Sequence, residues 1–429
     1  MQTYIEQARE IPVRGTYDVI VAGAGPSGVA AALTAARAGA STLLVEQAGC
    51  VGGISTSGLM SHFTGTADSP IYEEILARAA AKNTFRTGER TVSIDPELLK
   101  NTYLEMLSEA GVSLLLYTFV CDVICQDSKL RGIICENKSG RCAYLATVTV
   151  DATGDGDVAA KSGAAFTLGR EEDGAMQPAT LMFKLGGVDY ERAVFPPSFE
   201  TKVQVPAGEL QALAREHLPA PAGHVLLYRS TIPGIVTVNM TNVIGIDGTK
   251  AEDLVRAECV CRSQMEPIVS FLRAYAPGYE HCYIISAASL IGIRETRHFK
   301  GKACLTEEDI LTARVFEDYV VRGAHFNFDV HNLTGAGLDK TGVQAHFRQR
   351  QGYTIPYGCL VPEQVDGLLL CGRNISGTHM AHSNFRAMPI CVAIGAAAGA
   401  AAALASLGDL PAEKVDAASI RGLVFGDEV

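Results

Sequence analysis

The alternation of apolar and polar segments near the N-terminus predicts one β-α-β unit. Residues 17–21 form an apolar run of strand length. Residues 29–38 are rich in alanine and predict a helix, and Gly39 stands where a glycine commonly ends a helix. Residues 41–45 predict a second strand, with Glu46 at its end. A strand, a helix and another strand therefore follow one another directly.

Further along, the pattern predicts a helix and then a group of strands. Residues 95–110 carry an apolar stripe at helical spacing, with Pro96 in the first turn. Apolar runs bounded by turn residues then predict strands at 112–117, 120–125, 130–136 and 141–150.

The character of the chain changes between about residues 177 and 280. Strand-like pieces at 179–185 and 234–239 alternate with proline-rich joins, and residues 251–275 predict a helix. Residues 353–407 return to strands and helices joined by glycine-rich turns. The middle region therefore reads as a second domain inserted into the first, as expected for a chain of 429 residues.

Three glycines follow the first predicted strand in a GxGxxG pattern. Gly23 permits a tight turn, Gly25 lets the backbone approach a pyrophosphate, and Gly28 allows close packing of helix on strand. The helix that starts there presents free N–H groups and a positive dipole end to phosphates. Glu46, at the end of the next strand, stands where a carboxylate holds both ribose hydroxyls and repels a 2′-phosphate. The unit predicts a dinucleotide site that disfavours NADP.

Further glycine turns favour a cofactor longer than NAD. Gly52 and Gly53 follow the strand that ends at Glu46, and Thr153 and Gly154 follow another apolar strand. Residues 368–373 form an apolar strand ending in glycine, which leads into a long alanine- and glycine-rich helix. A flavoprotein needs such a returning segment to close over the flavin.

The composition of the chain limits which kinds of partner it can bind and which compartment it can occupy. The net charge is −11 and no Lys/Arg cluster is present, which argues against nucleic acid and against an anionic membrane. Residues 1–16 lack the apolar core of a signal peptide. The 12 cysteines are scattered singly, which predicts reduced thiols in the cytoplasm and no iron–sulfur or zinc site.

One uncharged stretch, residues 387–405, approaches the length of a membrane span. It consists mostly of alanine and glycine, with Pro389 near its start. Alanine gains little from lipid, whereas small residues let a helix pack closely inside a protein. The stretch therefore predicts a buried helix and no membrane association.

These motifs together resemble the FAD-dependent oxidoreductases of the glutathione-reductase-type Rossmann superfamily, including the flavin module of the heterodisulfide reductases. The matching segments are residues 17–28, 45–53, 150–158, 291–297 and 365–389, which extend over nearly the whole chain. The first motif is shared by the superfamily. The Gly-Ile-Arg-Glu segment at 292–295 and the Arg-Ala-Met-Pro segment at 386–389 are specific to this branch.

The resemblance implies an α/β fold, namely a Rossmann-like FAD-binding domain with an inserted α+β substrate domain. The implied boundaries are 1–175 for the first part of the FAD-binding domain, 176–285 for the inserted domain, 286–350 for a mixed region returning to the flavin, and 351–429 for the last part of the FAD-binding domain. It also implies that these residues line FAD: Gly23, Ala24, Gly25, Pro26, Ser27, Gly28, Glu46, Gln47, Gly52, Gly53, Ile54, Ser55, Thr56, Val120, Thr153, Gly154, Asp155, Gly372, Arg373, Met388 and Pro389.

Two departures from the disulfide reductases are informative. Cys50 has no second cysteine four or five residues on, which argues against a redox-active dithiol beside the flavin. The middle region has no second GxGxxG, which argues against a dedicated NAD(P)H domain. Electrons must then pass to or from a separate acceptor or donor.

Four residues are candidates for chemistry beside the flavin. His379 and His382 lie in an expected loop just before the long helix and are candidates to move a substrate proton; the alternative is that they hydrogen-bond backbone. Arg386 is a candidate anchor for flavin or a carboxylate. Arg294 either faces substrate or belongs, with Glu295 and Arg297, to a buried structural ion pair. His62 and Tyr357 are weaker candidates, with packing as the alternative.

The function predicted from these features is hydride transfer between a small organic substrate and flavin N5, with reoxidation by a separate acceptor. The alternatives are a structural FAD, an electron relay for a partner protein, and a plain adenine-nucleotide-binding regulator. Assembly into a homo-oligomer is compatible with the sequence.

Overall fold

The computed structural model describes residues 3–60, 62–82, 92–196, 198, 201–337, 349 and 351–426. Within these ranges the helices are α1 (Pro26–Arg37), α2 (Pro70–Ala81), α3 (Pro96–Glu109), α4 (Asp157–Lys161), α5 (Leu210–His217), α6 (Ala251–Tyr275), α7 (Glu307–Leu311), α8 (His379–Phe385), α9 (Met388–Leu407) and α10 (Ala417–Phe425). Short 3₁₀ helices occupy Gly53–Ser55, Tyr357–Leu360, Gly372–Asn374 and Ala412–Lys414.

The strands of the same part of the chain are β1 (Val13–Ala22), β2 (Thr42–Val45), β3 (His62–Phe63), β4 (Val92–Ser93), β5 (Ser113–Leu115), β6 (Phe119–Gln126), β7 (Lys129–Asn137), β8 (Gly140–Asp151), β9 (Phe166–Leu168), β10 (Phe183–Gly186), β11 (Gln204–Val205), β12 (Gly208–Glu209), β13 (Leu227–Arg229), β14 (Val236–Val238), β15 (Tyr283–Ala287), β16 (Arg297–Phe299), β17 (Tyr319–Ala324), β18 (Tyr353–Pro356) and β19 (Leu368–Leu370).

The main sheet has the order β5-β2-β1-β8, with β19 beside the end of β8. All of these neighbours are parallel, and β7 and β6 continue the sheet antiparallel from the first half of β8. Ala22 lies opposite both Val45 and Asp151, and Leu370 also lies opposite Asp151. The carboxyl ends of these strands therefore share one edge, where α/β proteins place their ligands.

Helix α9 packs directly on α1 through its glycines. A Cβ at Gly395 would lie 2.1 Å from the carbonyl oxygen of Ser27, and one at Gly399 would lie 2.2 Å from that of Ala31. The helix is long and apolar enough to cross a membrane, but 83% of its apolar 18-residue stretch is buried inside the fold. Its alanine and glycine content thus serves backbone-to-backbone packing, as the sequence indicated.

We predict that Gly399→Ala destabilises the protein by about 1–3 kcal/mol, because the added methyl meets a backbone oxygen that side-chain rotation cannot remove. The matched control is Gly335→Ala, where a Cβ would have only the Asn332 side chain at 3.6 Å. That control is expected to stay within about 0.5 kcal/mol of the parent. Denaturant unfolding of both variants measures the difference, and equal stabilities would contradict the packing account.

A second, antiparallel sheet has the order β13-β14-β10-β15. Its buried side chains, including Phe183, Val236 and Val238, share a hydrophobic core with Ile268 and Leu272 of α6. The core of the main sheet is a separate cluster built around β1, α1, β8 and α9. The domain boundaries given above stay predictions.

The fold class is confirmed as α/β with a parallel sheet, and several predicted elements are found. Helix α6 has its predicted bounds, and α3 begins after Asp95, whose carboxylate accepts from the backbone N–H of Glu97 and Leu98. The predicted strand at 112–117 is shorter because Tyr117 has a φ of 51°, which no strand residue adopts.

Three other predictions need correction. The strand expected at 179–185 begins at Phe183, since Ala179 and Thr180 make isolated bridges to Val243 and Gly292 instead. The strand expected at 234–239 is confined to Val236–Val238. The expected loop before α9 is the helix α8, because the Thr378 side chain accepts from the backbone N–H of Ala381 and caps it.

Candidate functional site

The three glycines of the first turn have different roles in the structure. Gly23 has a φ of +94°, and a Cβ there would lie 2.5 Å from the carbonyl oxygen of Ala152. A Cβ at Gly28 would lie 1.8 Å from the carbonyl oxygen of Gly23. Gly25 has an ordinary φ of −69°, and a Cβ there would meet nothing within 4 Å. Gly23 and Gly28 are therefore required by packing, whereas Gly25 faces open space at the uncapped start of α1.

Glu46 ties the first turn to the end of the second strand. Its carboxylate accepts from the backbone N–H of Ala24 at 2.7 Å and from that of Ala48 at 2.8 Å. Its own carbonyl oxygen accepts from the backbone N–H of Thr118, two residues before Val120 of β6. Each carboxylate oxygen keeps a further lone pair for hydroxyl donors.

The second glycine turn lies against the first. Gly52 has a φ of +100° and donates its N–H to the carbonyl oxygen of Ala24 at 2.7 Å. A Cβ at Gly53 would lie 3.1 Å from the Cα of Gly25. The hydroxyls of Ser55 and Thr56 donate to backbone oxygens within the turn. These two side chains therefore shape the turn.

A buried carboxylate, Asp151, organises the loop after β8. It accepts from the N–H and hydroxyl of Thr153 and from the N–H of Ala159. Burial outweighs these hydrogen bonds and raises the pKa of Asp151 to about 6. Its backbone oxygen accepts from the N–H of Cys371 and from the side-chain amide of Asn374 at 3.0 Å, which joins this loop to the turn after β19.

The same two turns are joined by an ion pair and by close backbone approach. Arg373 donates to Asp155 at 2.9 Å, and a Cβ at Gly154 would lie 2.8 Å from the Arg373 guanidinium. A Cβ at Gly372 would lie 2.5 Å from the Ser27 hydroxyl. Loops that are distant in sequence thus meet at the carboxyl edge of the sheet.

Helix α8 carries His379, which is held by the buried Glu295. The Nδ1 of His379 donates to Glu295 Oε1 at 2.5 Å, and the Nε2 of His298 donates to the same oxygen at 2.8 Å. The other carboxylate oxygen accepts from the backbone N–H of Gln177 at 3.0 Å. Burial opposes ionisation of Glu295, but the hydrogen bonds from His298 and His379 outweigh it and hold its pKa well below the ordinary value.

His298 has an acceptor at each ring nitrogen. Its Nδ1 lies 3.2 Å from the carbonyl oxygen of Gly377, and its Nε2 faces Glu295. Both ring nitrogens of His298 are therefore engaged, which fixes its ring beside Glu295. Donor atoms of Glu295, His298 and His379 lie within 4.8 Å of one another, a spacing that a metal ion also uses. The hydrogen bonds describe a proton-bearing network, and the absence of a metal stays a prediction.

His382, one turn further along α8, has a different environment. It is 1% exposed, and its ring packs edge-on against His298 with centroids 5.0 Å apart. Burial lowers its pKa well below the ordinary value, so it is neutral at physiological pH. Its Nδ1 is buried and has no hydrogen-bond partner among the described residues.

The charged residues of the segment 294–297 have different partners. Arg294 donates through Nη1 to the carbonyl oxygen of Pro178 at 2.7 Å and to the hydroxyl of Thr180 at 2.9 Å. Arg297 instead pairs with Asp157 at 2.9 Å. A structural ion pair is therefore present at Arg297, whereas the described hydrogen bonds of Arg294 go to neutral oxygens.

Arg386 reaches Asp329, donating to both its backbone oxygen and its carboxylate, at 2.7 and 2.8 Å. It stands between the end of α8 and the start of α9, so this contact fixes the entrance to α9.

The two weaker candidates are packed. His62 is 2% exposed and packs at a tilt against Tyr228 with ring centroids 3.5 Å apart, and burial lowers its pKa to about 3. Tyr357 donates its hydroxyl to the carbonyl oxygen of Ala412 at 2.5 Å, which is a core contact.

Cys50 lies 2.9 Å from the Ser57 hydroxyl, and the chain's cysteines are free.

Comparison with known proteins shows to which family the chain belongs. The family model described as FAD dependent oxidoreductase matches residues 18–424, almost the whole chain. The chain belongs to this family of FAD-dependent oxidoreductases. It is therefore a flavoenzyme with FAD as its cofactor, as the resemblance implied.

Solved structures share the fold at low sequence identity. A geranylgeranyl bacteriochlorophyll reductase-like protein from Thermoplasma acidophilum has a TM-score of 0.50 and 14% identity, over 95% of this chain and 82% of that one. The flavin-dependent brominase Bmp2 has a TM-score of 0.49 and 11% identity, over 92% and 80%. The myxobacterial chondrochloren halogenase CndH has a TM-score of 0.49 and 13% identity, over 93% and 77%. A search of curated proteins gave no match.

The residues of this FAD-dependent oxidoreductase fit its cofactor. Gly25 leaves open space at the N-terminus of α1, which has no side-chain cap, and the dipole and free N–H groups of such a helix end would stabilise a pyrophosphate. Glu46 presents a carboxylate with spare lone pairs beside that turn. Gly52, Gly154 and Gly372, all at positive φ, bring backbone to the same edge.

Several residues of the site were not singled out from the sequence for the contacts they make. Asp151 was visible only as part of the motif at 150–158. Glu295 was considered only as one of the charges of a structural ion pair, and it holds His379 and His298. Gln177 and Asp329 carried no signal, because Glu295 and Arg386, which they contact, lie more than fifty residues away in the chain.

Proposed function

We propose that this FAD-dependent oxidoreductase transfers hydride between a carbon of a small organic substrate and FAD, with electrons then passing to or from a separate acceptor or donor. The observation that carries the proposal is the buried contact of Glu295 with His379, the first residue of the helix that immediately precedes α9. A carboxylate-oriented histidine is the ordinary means of handling a proton while hydride moves.

The proposed FAD contacts are the predicted residues at the carboxyl edge of the main sheet. Gly23, Ala24, Gly25, Pro26, Ser27 and Gly28 would hold the pyrophosphate, and Glu46 and Gln47 the ribose. The remaining contacts would come from Gly52, Gly53, Ile54, Ser55, Thr56, Val120, Thr153, Gly154, Asp155, Gly372, Arg373, Met388 and Pro389. FAD, when bound, supplies the site for hydride at N5.

His379 is the proposed proton carrier. Because its Nδ1–H is committed to Glu295, its Nε2 is left as the atom that accepts or returns the substrate proton. Its side chain is 10% exposed, so it is still accessible, whereas His382 is enclosed and neutral. We therefore assign His382 to packing and electrostatic support, and His379 to proton transfer.

The test is anaerobic photoreduction of the purified yellow protein, followed by mixing with small organic oxidants and quinones. The proposal expects one small molecule to reoxidise the flavin, and expects His379→Gln to retain FAD but slow that step by about 10²–10⁴-fold. The matched control is His217→Gln, an exposed histidine of α5. A colourless protein would contradict the FAD assignment, and reoxidation only by another protein would favour an electron relay.

We also propose a cytoplasmic location, which agrees with free cysteines that include exposed ones at Cys125, Cys259 and Cys304. We still predict that the protein binds neither nucleic acid nor a membrane. Assembly into a homo-oligomer is also still a prediction.

A further inference from the structure

Several segments from the two hydrophobic cores meet around a group of polar side chains that the proposed chemistry leaves unused. Arg294 contacts Pro178 and Thr180, and Arg386 contacts Asp329. The backbone N–H of His331 donates to the side-chain oxygen of Gln177 at 3.2 Å, and Asn239 donates to the Tyr228 hydroxyl at 3.3 Å. We call this group, formed by Gln177, Tyr228, Asn239, Arg294, Asp329, His331 and Arg386, the arginine recess.

The recess lies beside the second glycine turn. Gly292, two residues before Arg294, would place a Cβ 3.4 Å from the Ile54 side chain. The backbone N–H of Ser289 donates to the carbonyl oxygen of Ser57 at 2.9 Å. The segment that carries Arg294 is thus anchored to the turn assigned to FAD.

Two side chains of the arginine recess are strongly desolvated. By exposed area, Arg294 and Tyr228 are only partly buried residues. Yet desolvation lowers the pKa of Arg294 to about 10 and raises that of Tyr228 above its ordinary value. Water therefore stabilises the Arg294 charge poorly at this position.

The charges of the recess do not cancel. The charge of Arg386 is close enough to disfavour that of Arg294, and the Asp329 carboxylate is near both. Burial lowers the pKa of His331 to about 4, so this residue is neutral at physiological pH. Arg294 contacts neutral oxygens alone among its described hydrogen bonds. Among these residues one positive charge is left over, and a desolvated cation is stabilised by an anion.

Two buried hydrogen-bond donors without a described partner also indicate that an acceptor binds here. Gln177 is 2% exposed, and its Nε2 has no hydrogen-bond partner among the described residues. Its orientation is fixed, because its oxygen accepts from a backbone N–H. The Nε of Arg386 is likewise buried and unpartnered in that part of the chain. Buried donors are normally satisfied, so these atoms await an acceptor.

We propose that the arginine recess binds the carboxylate of a small organic acid, and that this acid is the substrate of the proposed function. A carboxylate supplies the missing negative charge and two planar acceptor oxygens for guanidinium donors. The inference rests on the proposed function for the word substrate, but not for the binding of a carboxylate.

Matched pairs of probes test this inference on the FAD-loaded protein by calorimetry: acetate against acetamide, fumarate against fumaramide, and benzoate against benzamide. At least one acid is expected to bind, and its amide to bind much more weakly. Arg294→Gln should weaken that acid by about 30-fold or more, because it removes the partner of a buried charge. Asp329→Asn should tighten binding, because it removes a competing carboxylate. The control Arg192→Gln alters an exposed arginine and should change nothing.

Two variants keep the test interpretable if Arg294→Gln fails to fold. Arg294→Lys keeps the charge, and Arg386→Gln alters the other guanidinium; retained FAD colour reports folding for each. Equal binding of acid and amide, or of sulfate and carboxylate, would overturn the inference. A protein that binds the acid but never exchanges electrons with it would refute the proposed function while leaving the carboxylate site intact.

Discussion

Gly25→Ala is expected to leave the fold intact and to cost the protein its cofactor. A methyl at this position meets no protein atom within 4 Å, and the φ of −69° suits alanine. The free energy of unfolding of the apoprotein should therefore stay the same or rise by about 0.4–1 kcal/mol. The same methyl would fill the space where the pyrophosphate approaches the backbone. We expect the dissociation constant for FAD to rise by about 100-fold or more, equivalent to about 3 kcal/mol.

Gly28→Ala is the matched comparison within the same turn. Its methyl would lie 1.8 Å from the carbonyl oxygen of Gly23, so the strand and α1 must separate. This variant should lose both FAD and about 3 kcal/mol or more of stability, since the obstacle is backbone. Fluorescence titration with FAD and urea unfolding of the apoproteins separate the two effects. If Gly25→Ala retained full affinity for FAD, the assignment of this turn to the pyrophosphate would be wrong.

Glu295→Ala is expected to produce the largest loss of stability among single substitutions at the site. It would leave the N–H groups of His298, His379 and Gln177 without their acceptor. Removing one partner of a buried charge pair costs about 3–5 kcal/mol. The control Glu258→Gln disrupts an exposed i,i+4 pair with Arg262 and should cost less than about 1 kcal/mol. Urea unfolding at neutral pH provides both values.

The pH dependence of the unfolding free energy provides a second test of the role of Glu295. Its pKa in the folded state lies below the ordinary value, so the unfolded chain binds its proton first as the pH falls. The stability that it contributes is complete above about pH 5 and decreases as the pH falls toward the folded pKa. Glu295→Gln should show a flatter acid limb in a plot of unfolding free energy against pH. An unchanged acid limb would mean that Glu295 is not ionised in the folded protein.

Local sequence was sufficient for the elements that position the cofactor. The apolar run at 17–21, the glycine spacing and Glu46 are all contained in one β-α-β unit, where spacing alone determines which groups meet. The glycines of α9 were also informative, because a helix of small residues has few uses besides close packing. The short strands around Phe183 and Val236 were harder, since tertiary pairing decides where they begin.

The polar contacts of the site were hard to predict, because most of the partners are far apart in the sequence and meet only in the folded chain. Nothing near Arg294 in the sequence indicates that it would bond to Thr180 instead of Glu295. Asp329 and Gln177 lie in segments without regular periodicity, so no pattern connects them to Arg386 or Glu295. Helix α8 was missed because this short helix depends on one capping threonine, Thr378. Such contacts follow from topology, which residue spacing does not encode.

The contact between α1 and α9 also affects how the protein is made. The backbone of α1 is covered by Gly395 and Gly399, and β19 joins the sheet beside β8. During synthesis the ribosome must therefore release α9 before α1 gains its partner. The cofactor cradle consequently matures well after its signature motif has emerged. Loading of flavin is expected to follow translation.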